Sequence, residues 1–292
     1  MQYKGITRDT LLSYLDDYVR RGSQTVFAHR RGLRLLRCSY EQLVMAARQT
    51  ARELQSRGIG ESDRVILCGP NSPDWAAAFW ACLLLGAIVV PLDKESTVEF
   101  ARSVQQQTNA KLLITTGVVQ DLTSLNVPLL SLDDLNHKVK ARDTSPVSTP
   151  NLNDSTLAEI IFTSGTTSMP KGVMLTHGNL LANLLPLEYE ITKYLKWERF
   201  VHPVRFLNLV PLSHVFGQFM GMFVPQLLGA EVHFHDSLSP AEIVERTQHI
   251  VVPAIRVQEG KKSLVRRLTR AEAAEEPALQ EIFLARLARL LG

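Results

Sequence analysis

The chain has 292 residues, a net charge of +3, 45% hydrophobic residues and 21% charged residues. This composition is typical of a globular protein with a substantial core and excludes a disordered chain. The small net charge gives no reason to expect a nucleic-acid partner. Three cysteines, Cys38, Cys68 and Cys82, have no CxxC spacing, so they are expected to be buried and unpaired in a reducing compartment, which favours the cytoplasm.

Helix and strand patterns alternate over residues 1–136. Apolar residues at helical spacing predict a first helix over 5–20, and the acids in this segment argue against a signal peptide. Two short strands are predicted over 25–28 and 33–37. The next helix begins at Ser39, which has the spacing of a capping box.

The uncharged run from Trp75 to Leu92 raises the question of a transmembrane segment, because about 18 residues approaches the length that spans a bilayer. Gly86-Ala87 and Pro91 interrupt the run. We therefore predict a buried helix, a turn and a buried parallel strand, and no transmembrane segment. Asp93 follows this strand, where ligands often bind in open α/β sheets, although a turn or cap acid is the favoured interpretation.

A helix over 97–107 and a strand over 111–115 continue the alternation. This order of elements predicts an α/β fold with a mostly parallel, doubly wound sheet. Residues 137–156 are polar, contain Pro146 and Pro150, and have no periodicity. An exposed linker is expected there.

The most informative stretch is IIFTSGTTSMPKGVML, over residues 160–175. It predicts two buried strands joined by a polar loop. Hydroxyl and backbone N–H groups in such a loop can converge on an anion, Gly165 permits a close approach, and Lys171 adds a positive charge. A polyphosphate fits these groups, although the glycine spacing is not that of a Walker A loop. Composition alone leaves open a Ser/Thr-rich surface turn.

The segment FTSGTTSMPKGV resembles the signature loop of the adenylate-forming (AMP-binding) superfamily, which includes acyl-CoA synthetases, luciferases and peptide-synthetase adenylation domains. That resemblance implies that six residues hold the phosphates of ATP: Thr163, Ser164, Gly165, Thr166, Thr167 and Lys171. Ser168 stands where the family more often has glycine, so a slightly stiffer loop is expected.

The family resemblance also begins before this loop, in LLLGA and VPLD between residues 83 and 93. We therefore expect residues 1–292 to be the N-terminal part of a single AMP-binding domain. Its parts would be a first α/β portion over 1–136, the linker over 137–156 and a signature-loop portion over 157–292.

After the loop, a helix is predicted from Thr176, with a kink or a division at Pro186. The segment PLSHVFG then follows a predicted strand over 206–210. A lone histidine at a strand end is usually structural, but PLSHVFG resembles a family motif near the acyl substrate and the nucleotide. The resemblance implies that His214 lines the acyl pocket or acts as a gate.

An apolar helix over 216–228 follows and suits the wall of a fatty or aromatic acyl pocket. His233 and His235 share one face of a predicted strand, but without a third ligand we predict no metal site. The basic stretch over 261–270 fits a solvated helix face better than a membrane-binding surface. A leucine-rich helix over 279–291 ends the sequence.

The resemblance implies a two-step reaction. A carboxylate, expected to be that of a fatty acid, attacks the α-phosphate of ATP and gives acyl-adenylate and pyrophosphate; the thiol of coenzyme A then displaces AMP. ATP, Mg²⁺ and coenzyme A are the implied cofactors.

The family's YGxTE and TGD motifs and its C-terminal lysine are not found in the sequence. The C-terminal half of the fold is therefore expected to be missing, the catalytic residues stay unassigned, and the chain alone is expected to be inactive. The alternative is a catalytically silent module that binds nucleotide or oligomerises. Uncovered apolar surface in either case predicts a homo-oligomer.

Overall fold

A computed structural model describes residues 2–31, 34–117, 122–135, 143–163, 169–193, 195 and 203–234. The predicted loop residues Ser164, Gly165, Thr166 and Thr167 lie outside the described residues, and so do His235 and the segments predicted over 261–270 and 279–291.

The strands are β1 (Gln2–Tyr3), β2 (Ile6–Thr7), β3 (Thr25–Arg31), β4 (Arg34–Ser39), β5 (Arg64–Cys68), β6 (Ile88–Leu92), β7 (Leu112–Thr115), β8 (Leu129–Ser131), β9 (Leu157–Thr163), β10 (Lys171–Thr176), β11 (Arg205–Asn208) and β12 (Glu231–Phe234). The α-helices are α1 (Leu12–Arg21), α2 (Tyr40–Ser56), α3 (Pro73–Leu84), α4 (Val98–Thr108), α5 (Leu132–Leu135), α6 (His177–Thr192), α7 (Val215–Gln218) and α8 (Val224–Leu227). A 3₁₀ turn covers Leu122–Leu125, and a π-helical turn over Phe219–Phe223 joins α7 to α8.

The larger sheet has six strands in the order β10-β9-β6-β5-β7-β8. Every neighbouring pair is parallel except β9 and β10, which are antiparallel. Alternate residues of β5 enter two different cores: Val65 and Leu67 pack with α2 and α3, whereas Ile66 and Cys68 pack with α4. Helices therefore cover both faces, and the predicted doubly wound, mostly parallel α/β fold is confirmed.

A smaller sheet has the order β11-β12-β3-β4, with parallel pairs except for the β3–β4 hairpin. Tyrosine side chains tie it to the rest of the molecule. The hydroxyl of Tyr18 on α1 donates to the carbonyl of Met222 at 2.7 Å, and that of Tyr40 on α2 donates to the carbonyl of Ala230 at 2.9 Å.

Local sequence signals place the helices around the sheet. The capping box predicted at Ser39 is present: its hydroxyl accepts from the N–H of Gln42, whose side chain accepts from the Ser39 N–H. Pro73 begins α3, and every residue of that helix is buried. The uncharged run up to Leu92 is thus a buried helix followed by the central strand β6, and no described helix is long and apolar enough to cross a membrane.

The first helix is shorter than predicted. Its predicted start overlaps the β1–β2 hairpin, in which Lys4 and Gly5 both have positive φ. Leu15 is buried as the helical spacing predicts, whereas Val19 is exposed. Tyr14 and Tyr18, which the aliphatic pattern ignored, share the inner face of α1 with Leu15.

The structure differs from the prediction at the linker over 137–156 and at Pro186. The part of the predicted linker that is described, 143–156, has no helix or strand, but it lies against α2: Arg52 donates to Ser145 Oγ at 2.6 Å, and Val147 is buried in the main core. Pro186 lies inside α6, which is not divided there.

Candidate functional site

The carboxyl ends of the parallel strands β5, β6 and β9 lie along one side of the larger sheet, its carboxyl edge, which is distinct from its outermost strands. Cys68 of β5 pairs with Leu92 of β6, and Val89 of β6 pairs with Glu159 of β9. Because parallel strands advance together, the residues four positions further along, Asp93 and Thr163, lie at about the same level. Open α/β sheets bind ligands at this edge.

The predicted phosphate loop opens at this edge between the two strands of a hairpin. Thr163 at the end of β9 pairs with Lys171 at the start of β10, and both side chains are exposed. On the far side, the carbonyl of Pro170 accepts from Gln107 Nε2 of α4 at 3.1 Å. Both ends of the loop are therefore held by the fold, with a hydroxyl and an ammonium group at its mouth.

The strand after the loop differs from the prediction. We expected β10 to be buried, but its side chains Val173 and Met174 are 50% and 64% exposed. β10 is the edge strand of the sheet in the described part of the chain, so it is covered on fewer sides than β9. Gly172 has a packing role there, because a Cβ at this position would lie 2.8 Å from the ring of Phe162.

His214 approaches the same edge from the second predicted motif. It is the N-cap residue of α7, and its side chain is 59% exposed. Its Nε2 lies 3.9 Å from Asp93 Oδ2, and the hydroxyl of Ser213 lies 3.5 Å from the same oxygen. Among the described residues the imidazole thus stands beside a carboxylate without a short hydrogen bond to it.

Asn71 fixes the segment that carries His214. Its Nδ2 donates to the carbonyl of Val210 at 2.9 Å, and its Oδ1 accepts from the N–H of Leu212 at 2.8 Å. Asn71 was not identified from the sequence. Its position directly beyond β5, at the ligand-binding edge, is the signal that could have identified it.

Gly217 allows α7 to fold back onto this segment. A Cβ at this position would overlap the carbonyl oxygen of Pro211. The lack of a side chain at Gly217 therefore permits this close packing.

Asp93 has the predicted role of a turn acid and also faces the site. Its Oδ1 accepts from the N–H of Glu95 at 2.9 Å, while Oδ2 points toward His214. The neighbouring thiol of Cys68 is buried, and burial, with the nearby Asp93 charge, raises its pKa to about 12. That thiol is therefore neutral and poorly reactive near neutral pH.

A buried polar pair lies behind this edge. Gln218 of α7 donates through Nε2 to Glu159 Oε2 of β9 at 2.9 Å, and both residues are fully buried. Burial raises the pKa of Glu159 to about 7, although the bond from Gln218 acts in the opposite direction. The sequence contained a signal for it that was not used: a single acidic residue within the apolar run LAEIIF.

The donor set at the edge fits a phosphate better than a resident metal. Among the described residues no group of three or more His, Cys, Asp or Glu side chains could hold a metal ion. Mg²⁺ that arrives with a polyphosphate keeps several waters and needs only one or two carboxylates. Asp93, whose Oδ2 lies 3.9 Å from His214 Nε2, supplies a carboxylate at this edge.

Comparisons with known proteins agree with this architecture. The sequence pattern that defines the AMP-binding enzyme family matches residues 21–274. The feruloyl-CoA synthase of an Amycolatopsis species is 29% identical over 218 residues, which cover 72% of this chain and 41% of that enzyme.

Two solved structures share the fold at low sequence identity. The N-terminal domain of FACL13 from Mycobacterium tuberculosis, bound to an inhibitor, gives a TM-score of 0.70 at 18% identity, over 83% of this chain and 61% of that one. The o-succinylbenzoate–CoA synthetase MenE from Bacillus subtilis, in complex with AMP, gives 0.65 at 18% identity, over 82% and 59%. The chain therefore spans less than two thirds of the length of each of these proteins.

Proposed function

Because the chain belongs to the AMP-binding enzyme family, we propose that it forms part of an ATP-dependent acid–CoA ligase. In that enzyme it would bind ATP and contact the acyl group. The observation that carries this proposal is the opening of the β9–β10 hairpin beside Asp93, at the edge where His214 also stands. In this proposal the loop that follows Thr163 binds phosphate and His214 faces the acyl group, so both proposed roles belong to the same edge of the sheet.

In this proposal the loop residues Thr163, Ser164, Gly165, Thr166, Thr167 and Lys171 bind the β- and γ-phosphates. Their hydroxyl and N–H groups donate to phosphate oxygens, and Lys171 adds a full charge. Charge grows on pyrophosphate as the acyl carboxylate attacks the α-phosphate, so these donors stabilise the transition state more than bound ATP. Mg²⁺, when bound, offsets the charge of the phosphates.

His214 would lie where the acyl carboxylate meets the nucleotide. A neutral imidazole offers one donor and one acceptor, so it can orient a carboxylate or turn aside as a gate. Phe216, two residues on, is 47% exposed and begins the apolar segment of α7 and the π-helical turn. The exposed ring of Phe216 supports a fatty acid as the substrate, with coenzyme A as the acceptor of the acyl group.

The test is binding of non-hydrolysable acyl-adenylate analogues that carry acetyl, dodecanoyl or feruloyl groups. Each buried methylene is worth about 0.8 kcal/mol, so even two of them predict about tenfold tighter binding of the dodecanoyl analogue than of the acetyl analogue. Calorimetry measures both affinities. Equal affinity for all three would refute the fatty acyl pocket, and no binding of any of them would refute the nucleotide site.

A catalytically silent module that oligomerises is the second candidate function. The exposed apolar side chains of β10, Val173 and Met174, favour it. The two candidates differ in one result: only the ligase predicts that affinity for the adenylate analogue depends on its acyl group.

A further inference from the structure

The buried pair of Glu159 and Gln218 leaves two oxygen atoms without a donor. Gln218 Nε2 donates to Glu159 Oε2, but neither Glu159 Oε1 nor Gln218 Oε1 has a hydrogen-bond partner among the described residues. Both atoms are acceptors as long as Glu159 is ionised. Two unsatisfied buried acceptors on one pair are costly, and a buried negative charge is costlier still.

One proton removes this conflict. A hydrogen on Glu159 Oε1 would donate to Gln218 Oε1, parallel to the bond that already joins Gln218 Nε2 to Glu159 Oε2. The carboxylic acid and the amide would then close a ring with two hydrogen bonds. The cross-strand neighbours of Glu159 are Val89 on β6 and Leu175 on β10, so neither adjoining strand places a charged side chain opposite it. The upward shift of the pKa of Glu159 through burial agrees with this state.

The position of the pair relates it to the candidate site. Glu159 and Thr163 are four residues apart on β9, so they lie on the same face of the strand, about 13 Å apart along it. His214 and Gln218 are four residues apart, about one turn along α7. The pair therefore links the strand that leads to the phosphate loop with the helix that begins at His214.

We propose that Glu159 is a protonated carboxylic acid, paired with Gln218 by two hydrogen bonds, and that the pair is a positioning element that sets Thr163 relative to His214. The protonated pair is independent of the proposed function. The importance of the distance between Thr163 and His214 for nucleotide binding rests on the proposed function.

Infrared difference spectroscopy at pH 6 tests the protonation. The spectrum of the wild type minus that of Glu159→Gln should contain the carbonyl stretch of a protonated carboxylic acid. The matched control is Glu99→Gln, in which an exposed glutamate on α4 is replaced and only carboxylate bands should be lost. Loss of carboxylate bands alone in Glu159→Gln would overturn the protonated pair.

Three variants test the positioning role. Glu159→Gln is the conservative rescue, because an amide in place of the acid can form the same two bonds with Gln218. Glu159→Leu leaves both polar ends of Gln218 unpaired. The double variant Glu159→Leu with Gln218→Leu removes both partners and should regain most of the stability lost in the single variant.

The readouts are the urea midpoint, the imidazole NMR resonances of His214 and the affinity for Mg-ATP. We expect Glu159→Gln to keep the urea midpoint, the His214 resonances and the Mg-ATP affinity of the wild type. The double variant should recover its urea midpoint. Its His214 resonances should stay displaced and its affinity for Mg-ATP should stay several-fold weaker. Undisplaced His214 resonances in the double variant would overturn the positioning role. If the wild type does not bind Mg-ATP, the proposed function fails, while the infrared and NMR results still decide the pair.

Discussion

Burial favours the neutral forms of two titratable residues in the interior. Burial raises the pKa of Glu159 from an ordinary 4.5 to about 7 and lowers the pKa of His177 from an ordinary 6.5 to about 4. Neutral His177 accepts through Nδ1 from the N–H of Leu11 at 3.2 Å, which joins α6 to the start of α1. Between its unfolded and folded pKa values, Glu159 therefore keeps a proton in the folded protein that the unfolded chain would release. Between its two pKa values, His177 lacks a proton in the folded protein that the unfolded chain would bind.

These shifts predict opposite pH dependences of stability. The contribution of Glu159 is fully present below pH 4.5 and is lost as the pH rises to about 7, whereas that of His177 is present above pH 6.5 and is lost as the pH falls to about 4. The free energy of unfolding of the wild type minus that of Glu159→Gln should therefore fall by about 3 kcal/mol across the Glu159 range.

Urea unfolding of both proteins at several pH values measures this difference. His177 is common to the two proteins, so its effect cancels. A difference that does not change with pH would show that Glu159 has an ordinary pKa in the folded protein.

At the scale of elements, β10 is an exposed edge strand. It pairs with β9 on one side and is one of the two edge strands of the larger sheet in the described part of the chain, with Val173 and Met174 largely exposed. Free backbone groups together with apolar side chains form a template for pairing with another chain. We predict that two copies of this chain associate through β10.

Light scattering across a concentration series tests this association. Met174→Lys should shift the protein toward the monomer, because pairing would bring two like charges to the contact. Val19→Lys on α1 is the matched control, since it changes another exposed apolar residue far from β10 in sequence. A wild type that stays monomeric at high concentration, or equal shifts in both variants, would contradict the prediction.

The elements show how far periodicity alone predicts this fold. It correctly predicted α2 and the central parallel strands, because their buried residues are mostly aliphatic and the cap of α2 lies beside it in sequence, whereas α3 was predicted from its uncharged run. It began α1 too early, because the β1–β2 hairpin occupies part of the predicted helix, and it missed Tyr18, which donates to a carbonyl 204 residues away. The helix α6 continues through Pro186, so the predicted division does not occur there.

At the scale of the whole molecule, the candidate site is assembled from distant parts of the chain. The two motifs that carry the family resemblance could be recognised from sequence, and Thr163, Lys171 and His214 were named on that basis. The residues that position them could not be recognised, because their hydrogen bonds join distant parts of the sequence. Asn71 bonds to Val210, 139 residues away, and Gln218 bonds to Glu159, 59 residues away. These contacts depend on the order of strands in the sheet, which periodicity does not specify.

The central claim, that the β9–β10 hairpin binds the phosphates of ATP, is tested most directly by calorimetry of Mg-ATP binding to Lys171→Ala. Loss of a charged hydrogen bond should weaken binding by about 1.5–3 kcal/mol, or roughly tenfold to 150-fold. Lys111→Ala is the matched control, because this exposed lysine precedes β7 at the opposite edge of the sheet and pairs with Asp63. The account predicts weakened binding in Lys171→Ala and wild-type affinity in Lys111→Ala; unchanged affinity in Lys171→Ala would contradict it.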